Sequence, residues 1–330
     1  MAEPLPLTFA VHDYDHVRDL ASGAVAVEGV SLRCLQHPVE EIFFRLVRFR
    51  EWDISELSLA KYCSLRAAGD RSLIAIPAFT SRAFRHSAIF VRDDGPRDEP
   101  GALAGGRIGV PEWTQTATVY ARGLLAHEYG VALDGVHWIQ AGTNEPGRSE
   151  GVAVSLPAGI AVEARPHDTL NDMLLAGQLD ALIAAHPPAA FGTDGARIVR
   201  LFSDYRSVEE AYWQRTGVFP IMHVVVLRAE LHERHPWIAM NLLSALQEAK
   251  RRSIERALDA NAPRFPVPWA PANARRAAEL FGPDFWPYGL ERNRPTLDTF
   301  LAWAFEQGVC ASELRAEDLF APQTLQSFTV

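Results

Sequence analysis

The sequence predicts an α/β protein of two lobes with a cleft between them. Three observations carry that reading. Apolar runs of strand length alternate with helical stretches over the first 200 residues, the pattern of mainly parallel sheets covered by helices. A turn-rich linker, Pro96 to Pro100, divides that pattern in two. Beyond residue 200 the pattern changes to one strand followed by helix-rich, aromatic sequence. The chain therefore leaves a first lobe near residue 92 and returns to it near residue 200. Segments 1–92 and 200–330 form lobe one, with a helical C-terminal part, and 93–199 forms lobe two. Two crossings make a hinge, and ligands of open α/β sheets sit beyond the carboxyl ends of the strands.

Leu7 to Val11 reads as the first strand and Val30 to Leu35 as the second. Val39 to Phe49 is an amphipathic helix, because Ile42, Phe43, Leu46 and Val47 share one face. A short strand at 53–57 runs into a helix that ends near Gly69, and Leu73 to Ile76 and Ala88 to Val91 are strands. In the second lobe Arg107 to Val110 is a strand leading to a helix that ends about Tyr129, and Val136 to Gln140 is the next strand. A loop over 144–159 precedes a helix at Thr169 to Ala176, stopped by Gly177. Asp180 to Ala184 is a strand that runs into His186-Pro187-Pro188. Val224 to Leu227 is the returning strand, with long helices at 236–257 and 296–307.

The 330 residues suffice for a sizeable core, and 48% apolar with 22% charged residues is ordinary for a globular protein. A net charge of −9 argues against nucleic acid as a partner. Cys34, Cys63 and Cys310 are too far apart for a zinc knuckle or a disulfide framework. The first residues lack the pattern of a secretory signal, and no stretch has the length of a membrane span, so a cytoplasmic protein without a membrane partner is expected. Homo-oligomerisation through the helical last third is one option. No GxGxxG fingerprint or P-loop is present, so nucleotide cofactors are not expected.

The segment Ser81 to Ser87, SRAFRHS, carries most information about chemistry. It sets Arg82, Arg85 and His86 between two apolar runs, which suggests a strand-to-strand crossing at the mouth of a cleft. Guanidinium groups recognise a carboxylate at two points, and imidazole moves protons near neutral pH. Thr114, Gln115 and Thr116 precede a helix, where free N–H groups favour an anion.

The chain resembles the 4,5-dihydroxyphthalate decarboxylase family, itself similar in fold to type II periplasmic solute-binding proteins. The likeness lies in DYDHVRDL (13–20), EGVSL (28–32), EEIFFRLVRFREWDISELSLAKY (40–62), AIPAFTSRAFRHSAIFV (75–91), GVPEWTQTA (109–117), EPGR (145–148) and FPIMHVVV (219–226). The resemblance implies a two-lobed, periplasmic-binding-protein-like fold and a carboxy-lyase that turns 4,5-dihydroxyphthalate into protocatechuate and CO2. The alternatives are a solute-binding protein for a small anion, or another enzyme on the same fold.

For that chemistry Arg82 and Arg85 are the expected carboxylate clamps, and His86 is the leading proton carrier, with His223 in FPIMHVVV as a second. Glu112 is read as accepting from a catechol hydroxyl. Thr114, Gln115, Thr116, Arg148, His186, Tyr14 and Ser58 complete the expected substrate contacts. The spacing of His86, His186 and His223 fits no metal motif, so no cofactor is expected, with a divalent ion bridging catechol oxygens as the alternative.

Overall fold

A computed structural model describes residues 3–195 and 197–326. The strands are β1 (Leu5–Val11), β2 (Val30–Gln36), β3 (Ile54–Ser58), β4 (Leu73–Arg82), β5 (Ile89–Arg92), β6 (Arg107–Val110), β7 (His137–Gly142), β8 (Val162–Thr169), β9 (Ala181–Ile183), β10 (Ile198–Arg200) and β11 (Ile221–Arg228). The helices are α1 (Asp15–Ala21), α2 (Val39–Phe49), α3 (Leu59–Ala67), α4 (Thr116–Tyr129), α5 (Leu170–Leu175), α6 (Tyr205–Thr216), α7 (Ala229–Arg234), α8 (Trp237–Leu258), α9 (Ala270–Phe281) and α10 (Arg294–Glu306).

Two mixed sheets result, ordered β2-β1-β3-β11-β4 and β10-β5-β9-β6-β7-β8. Each has a parallel block, β2-β1-β3 in the first and β9-β6-β7-β8 in the second. Each also has an antiparallel part contributed by a crossing strand, β11 in the first and β5 in the second. The chain passes from the first sheet to the second between Arg82 and Ile89, earlier than the crossing expected at residue 92. β5, read as part of the first lobe, pairs with β9 and β10 of the second sheet.

The central strands β3 and β11 of the first sheet are the most deeply buried. β3 is buried at every position, and so is Ile221–Met222 together with Val224–Leu227 of β11. The interior exception in β11, besides its terminal Arg228, is His223, which lies where the pairing with β4 shifts register on either side. Such irregularities re-aim a side chain.

The C-terminal helix does not stay with the first sheet. α10 packs on α4, and a Cβ at Gly123 would meet the Trp303 ring at 2.1 Å. Glycine is required there so that the two helices can approach. No helix among the described residues is long and apolar enough to cross a membrane.

Candidate active site

A cavity of about 260 Å³ lies between the sheets. Its first wall comes from segments at strand ends of the first sheet: His12 and Tyr14 after β1, Ser58 at the end of β3 and Lys61 beyond it, Ser81 near the end of β4 and Arg85 beyond it, and His223 on β11. The second wall is Gln115 to Ala117 at the start of α4, Arg148 after β7 and His186 after β9. The start of α2 forms the mouth with Val39, Glu40 and Phe43. Strand ends converging on a gap between sheets match the general rule for ligands in α/β folds.

Sheet register builds the catalytic-looking corner. His223 lies opposite Ser58, and Val225 lies opposite Glu56. Glu56 and His223 are therefore diagonal neighbours on one face. His223 Nδ1 lies 3.3 Å from Glu56 Oε2 and 3.3 Å from the Tyr14 hydroxyl. Glu56 is fully buried. It accepts from the His12 amide at 2.7 Å, the Thr80 hydroxyl at 2.8 Å and the Tyr14 hydroxyl at 3.2 Å. Burial by itself would raise this carboxyl. The bond to His223 and its charge, with the other donors, outweigh burial and hold Glu56 below the ordinary carboxylate range. Burial and the adjacent Glu56 push the Tyr14 phenol far up, so it remains a neutral donor. The His223 ring stands edge-on to Phe43, centroids 4.8 Å apart.

Positive charge dominates the rest of the cavity. Lys61 Nζ donates to Glu112 Oε2 at 2.6 Å, and Arg148 Nε donates to Glu112 Oε1 at 2.8 Å, so two cations share one carboxylate. Arg85 has no carboxylate partner among the described residues; its Nε points to Met222 Sδ at 3.1 Å. Burial pushes this guanidinium down to about 10, and it stays charged at neutral pH. The Gln115 Oε1 atom is buried without a partner. At α4 the first amides precede any intrahelical acceptor and carry the positive end of the helix dipole.

Eight of the side chains expected from sequence line this cavity: Tyr14, Ser58, Arg85, Gln115, Thr116, Arg148, His186 and His223. Two of them are tied to each other, since the Ser58 and Thr116 hydroxyls lie 2.9 Å apart and Thr116 Oγ1 also accepts from the Ala60 amide at 3.0 Å. His186 lies at the mouth, 3.4 Å from Glu40 Oε1.

The other four do not reach it. Arg82 turns away into the protein, donating to the Phe219 carbonyl at 2.9 Å, the Pro287 carbonyl at 2.7 Å and Asn293 Oδ1. Its plane lies between the Phe79 and Phe219 rings, so it fastens β4 to the C-terminal segment. His86 is enclosed by Tyr129, Phe202 and Tyr212. Burial pushes it down to about 4, so it is neutral and away from the cavity. Thr114 donates from its hydroxyl to Glu150 at 2.6 Å. Glu112 sits behind the wall with both oxygens taken by Lys61 and Arg148. Adjacent residues along the chain cannot all face one side, and only Arg85 of the SRAFRHS trio falls on the cavity side.

Sequence reading missed Lys61 and Glu40, and did not recognise the weight of Glu56. Glu56 had a signal: a carboxylate inside the short strand Ile54 to Ser58 has to be satisfied by something if that strand is buried. The remaining two depend on how the sheets face each other.

No family model matches the chain. The 4,5-dihydroxyphthalate decarboxylase of Comamonas testosteroni is 37% identical over 327 residues, covering 99% of this chain and 99% of that protein. A second 4,5-dihydroxyphthalate decarboxylase, from Pseudomonas putida, is 42% identical over 202 residues, 61% of this chain and 78% of the relative. Among solved structures, the periplasmic aliphatic sulphonate binding protein SsuA from Escherichia coli aligns with a TM-score of 0.54 at 13% identity, covering 99% of this chain and 96% of that one. The desulfurization enzyme DSZB aligns at 0.52 and 16% identity, over 97% of each chain. At these identities the structural likeness shows the two-lobed solute-binding-protein fold alone.

Proposed function

The chain belongs to the 4,5-dihydroxyphthalate decarboxylase family, and we propose that the cavity between its sheets is where a carboxylate of 4,5-dihydroxyphthalate is exchanged for a proton, giving protocatechuate and CO2. A carboxylate para to a hydroxyl sits on a ring carbon made electron-rich by that oxygen. A proton from His223 Nε2 forms the new C–H bond at that carbon. The C–C bond then breaks, its electron pair restores the aromatic ring, and CO2 leaves. His223 regains a proton from solvent. The ring protonated at that carbon is its own electron sink, so the proposed route uses no organic cofactor.

Arg85 and the start of α4 hold the carboxylate that stays, with Lys61 and Arg148 adding positive potential. The departing carboxylate loses its charge in the reaction, so a strong cation upon it would oppose the step. It is better accommodated beside His223, where Phe43 and Met222 line the wall. Interactions that favour the charge distribution of the transition state are the ones that raise kcat.

The observation that carries this reading is one cavity holding both Arg85, a guanidinium without a carboxylate partner among the described residues, and His223, an imidazole already engaged at Nδ1. Purified protein incubated with 4,5-dihydroxyphthalate in deuterated water should release CO2 and leave one deuterium at the vacated ring carbon. Tight binding without CO2 would assign the cavity to solute binding instead.

A further inference from the structure

We propose that Glu56 is a positioning residue for the decarboxylation: it fixes the tautomer of His223 so that Nε2 is the nitrogen that exchanges protons with the ring, and its charge favours the protonated imidazole amid the cavity's cations. This inference rests on the reading of His223 as proton carrier.

The argument starts from donor and acceptor counting. Neutral imidazole has one donor nitrogen and one acceptor nitrogen. At Nδ1 there are two neighbours, Glu56 Oε2 and the Tyr14 hydroxyl, each at 3.3 Å. If Tyr14 donated to Nδ1, the ring would carry its proton on Nε2, and Glu56 Oε2 would lose two of its donors. If Nδ1 carries the proton, it donates to Glu56 Oε2, and Tyr14, 3.2 Å from the same oxygen, donates there too. With Thr80 on Oε2 and the His12 amide on Oε1, the carboxylate then has a donor at every contact. A fully buried carboxylate leaves little choice between the two arrangements, because each lost donor is costly. Nε2, across the ring, has no protein partner among the described residues and is not among the buried unpartnered atoms.

Charge gives the second strand of the argument. His223 shares its cavity with Lys61, Arg85, Arg148 and His186, and with His12. Of the carboxylates nearby, Glu112 is taken by Lys61 and Arg148, and Glu40 lies with His186 at the mouth. Glu56 is the carboxylate left to face the imidazole. Without it, the surrounding cations would favour loss of the very proton that the reaction needs.

Three measurements test this together. In wild-type protein with nitrogen-15 labelled histidine, neutral His223 should show a protonated Nδ1 and an unprotonated Nε2; the reverse tautomer overturns the proposal without any variant. Glu56→Gln should lower kcat by about 10²-fold with KM within about twofold. Its alkaline limb of kcat should move toward lower pH, because a carboxylate beside the imidazole is lost, with Glu56→Asp recovering part of both. A KM rise at unchanged kcat, or an unmoved limb, would sink the inference. His223→Gln separates the two ideas. If it keeps wild-type turnover, the proton-carrier reading itself fails; if it abolishes turnover while Glu56→Gln behaves as wild type, only the role of Glu56 fails.

Discussion

Lys61 Nζ lies 2.6 Å from Glu112 Oε2, and the bond joins α3, which follows β3 of the first sheet, to the loop after β6 of the second. Arg148 Nη2, also from the second unit, takes the other oxygen of Glu112 at 2.7 Å. This carboxylate therefore balances two cavity cations and ties the walls. Glu112→Gln should cost about 3 kcal/mol of stability, as expected for removing one partner from a largely buried ionic cluster. Turnover should change little, with kcat within about threefold of wild type. Thermal unfolding and steady-state rates on the same preparation check both. A kcat loss of about 10²-fold or more would return Glu112 to the catechol-facing catalytic role read from sequence.

Among the described residues Arg85 has no carboxylate partner, so its charge is available to a dianion. Arg85→Ala should raise KM by about 10²-fold, the scale of a lost charge-assisted pair. Arg85→Lys should recover only part of this, because an ammonium lacks the planar two-point geometry. Circular dichroism should be unchanged, since the Arg85 side chain donates to no backbone carbonyl among the described residues. An unaltered KM in Arg85→Ala would remove the clamp.

Arg82 and His86 should behave in the opposite manner. Arg82→Met leaves the Phe219 and Pro287 carbonyls and Asn293 without their donor, a loss of about 2–4 kcal/mol of stability. KM measured on the remaining folded protein should hold. His86→Phe keeps a ring among Tyr129, Phe202 and Tyr212, and kcat should stay within about threefold. Loss of turnover by His86→Phe in a folded protein would contradict the placement of the proton carrier at His223.

These contrasts show what the sequence could and could not reveal. Alternating apolar runs expose strands that are buried on both faces, so β1, β6 and β11 are legible, as is α2 with its one-sided apolar stripe. β8, with Val162 to Thr169 rich in charge and no apolar run, carries no such signal. The cavity residues were legible as residue types, but not as directions. Arg82 ends a strand and Arg85 begins a turn, and which of them faces the gap depends on where β4 stops pairing with β11. Lys61 and Glu40 acquire meaning only once α3 and α2 are set opposite elements more than fifty residues away.

The His186–Glu40 contact gives the cavity mouth a pH dependence of definite sign. A hydrogen bond and charge from Glu40 raise His186, and the same bond, with partial burial opposing it, lowers Glu40 to about 2. The His186 contribution is therefore fully present below its ordinary value of 6.5 and is lost as pH rises through the raised one. The Glu40 contribution is present above the ordinary carboxylate value and is lost only as pH falls toward about 2. The latch is thus intact in mildly acidic to neutral solution and opens on the alkaline side. His186 is 74% exposed, so the pair adds little to stability and is screened by salt. Its effect should appear in substrate capture, because it spans the entrance between α2 and the loop after β9. KM should rise a few-fold, about 2–5, between pH 6 and pH 9 in wild type at low salt. Other groups, the catechol among them, also change ionisation over that range, so the informative quantity is the difference from Glu40→Gln. That variant should have the alkaline KM at every pH, and the difference should shrink at 0.5 M salt. Identical KM profiles for the two proteins would show that the mouth is not latched by this pair.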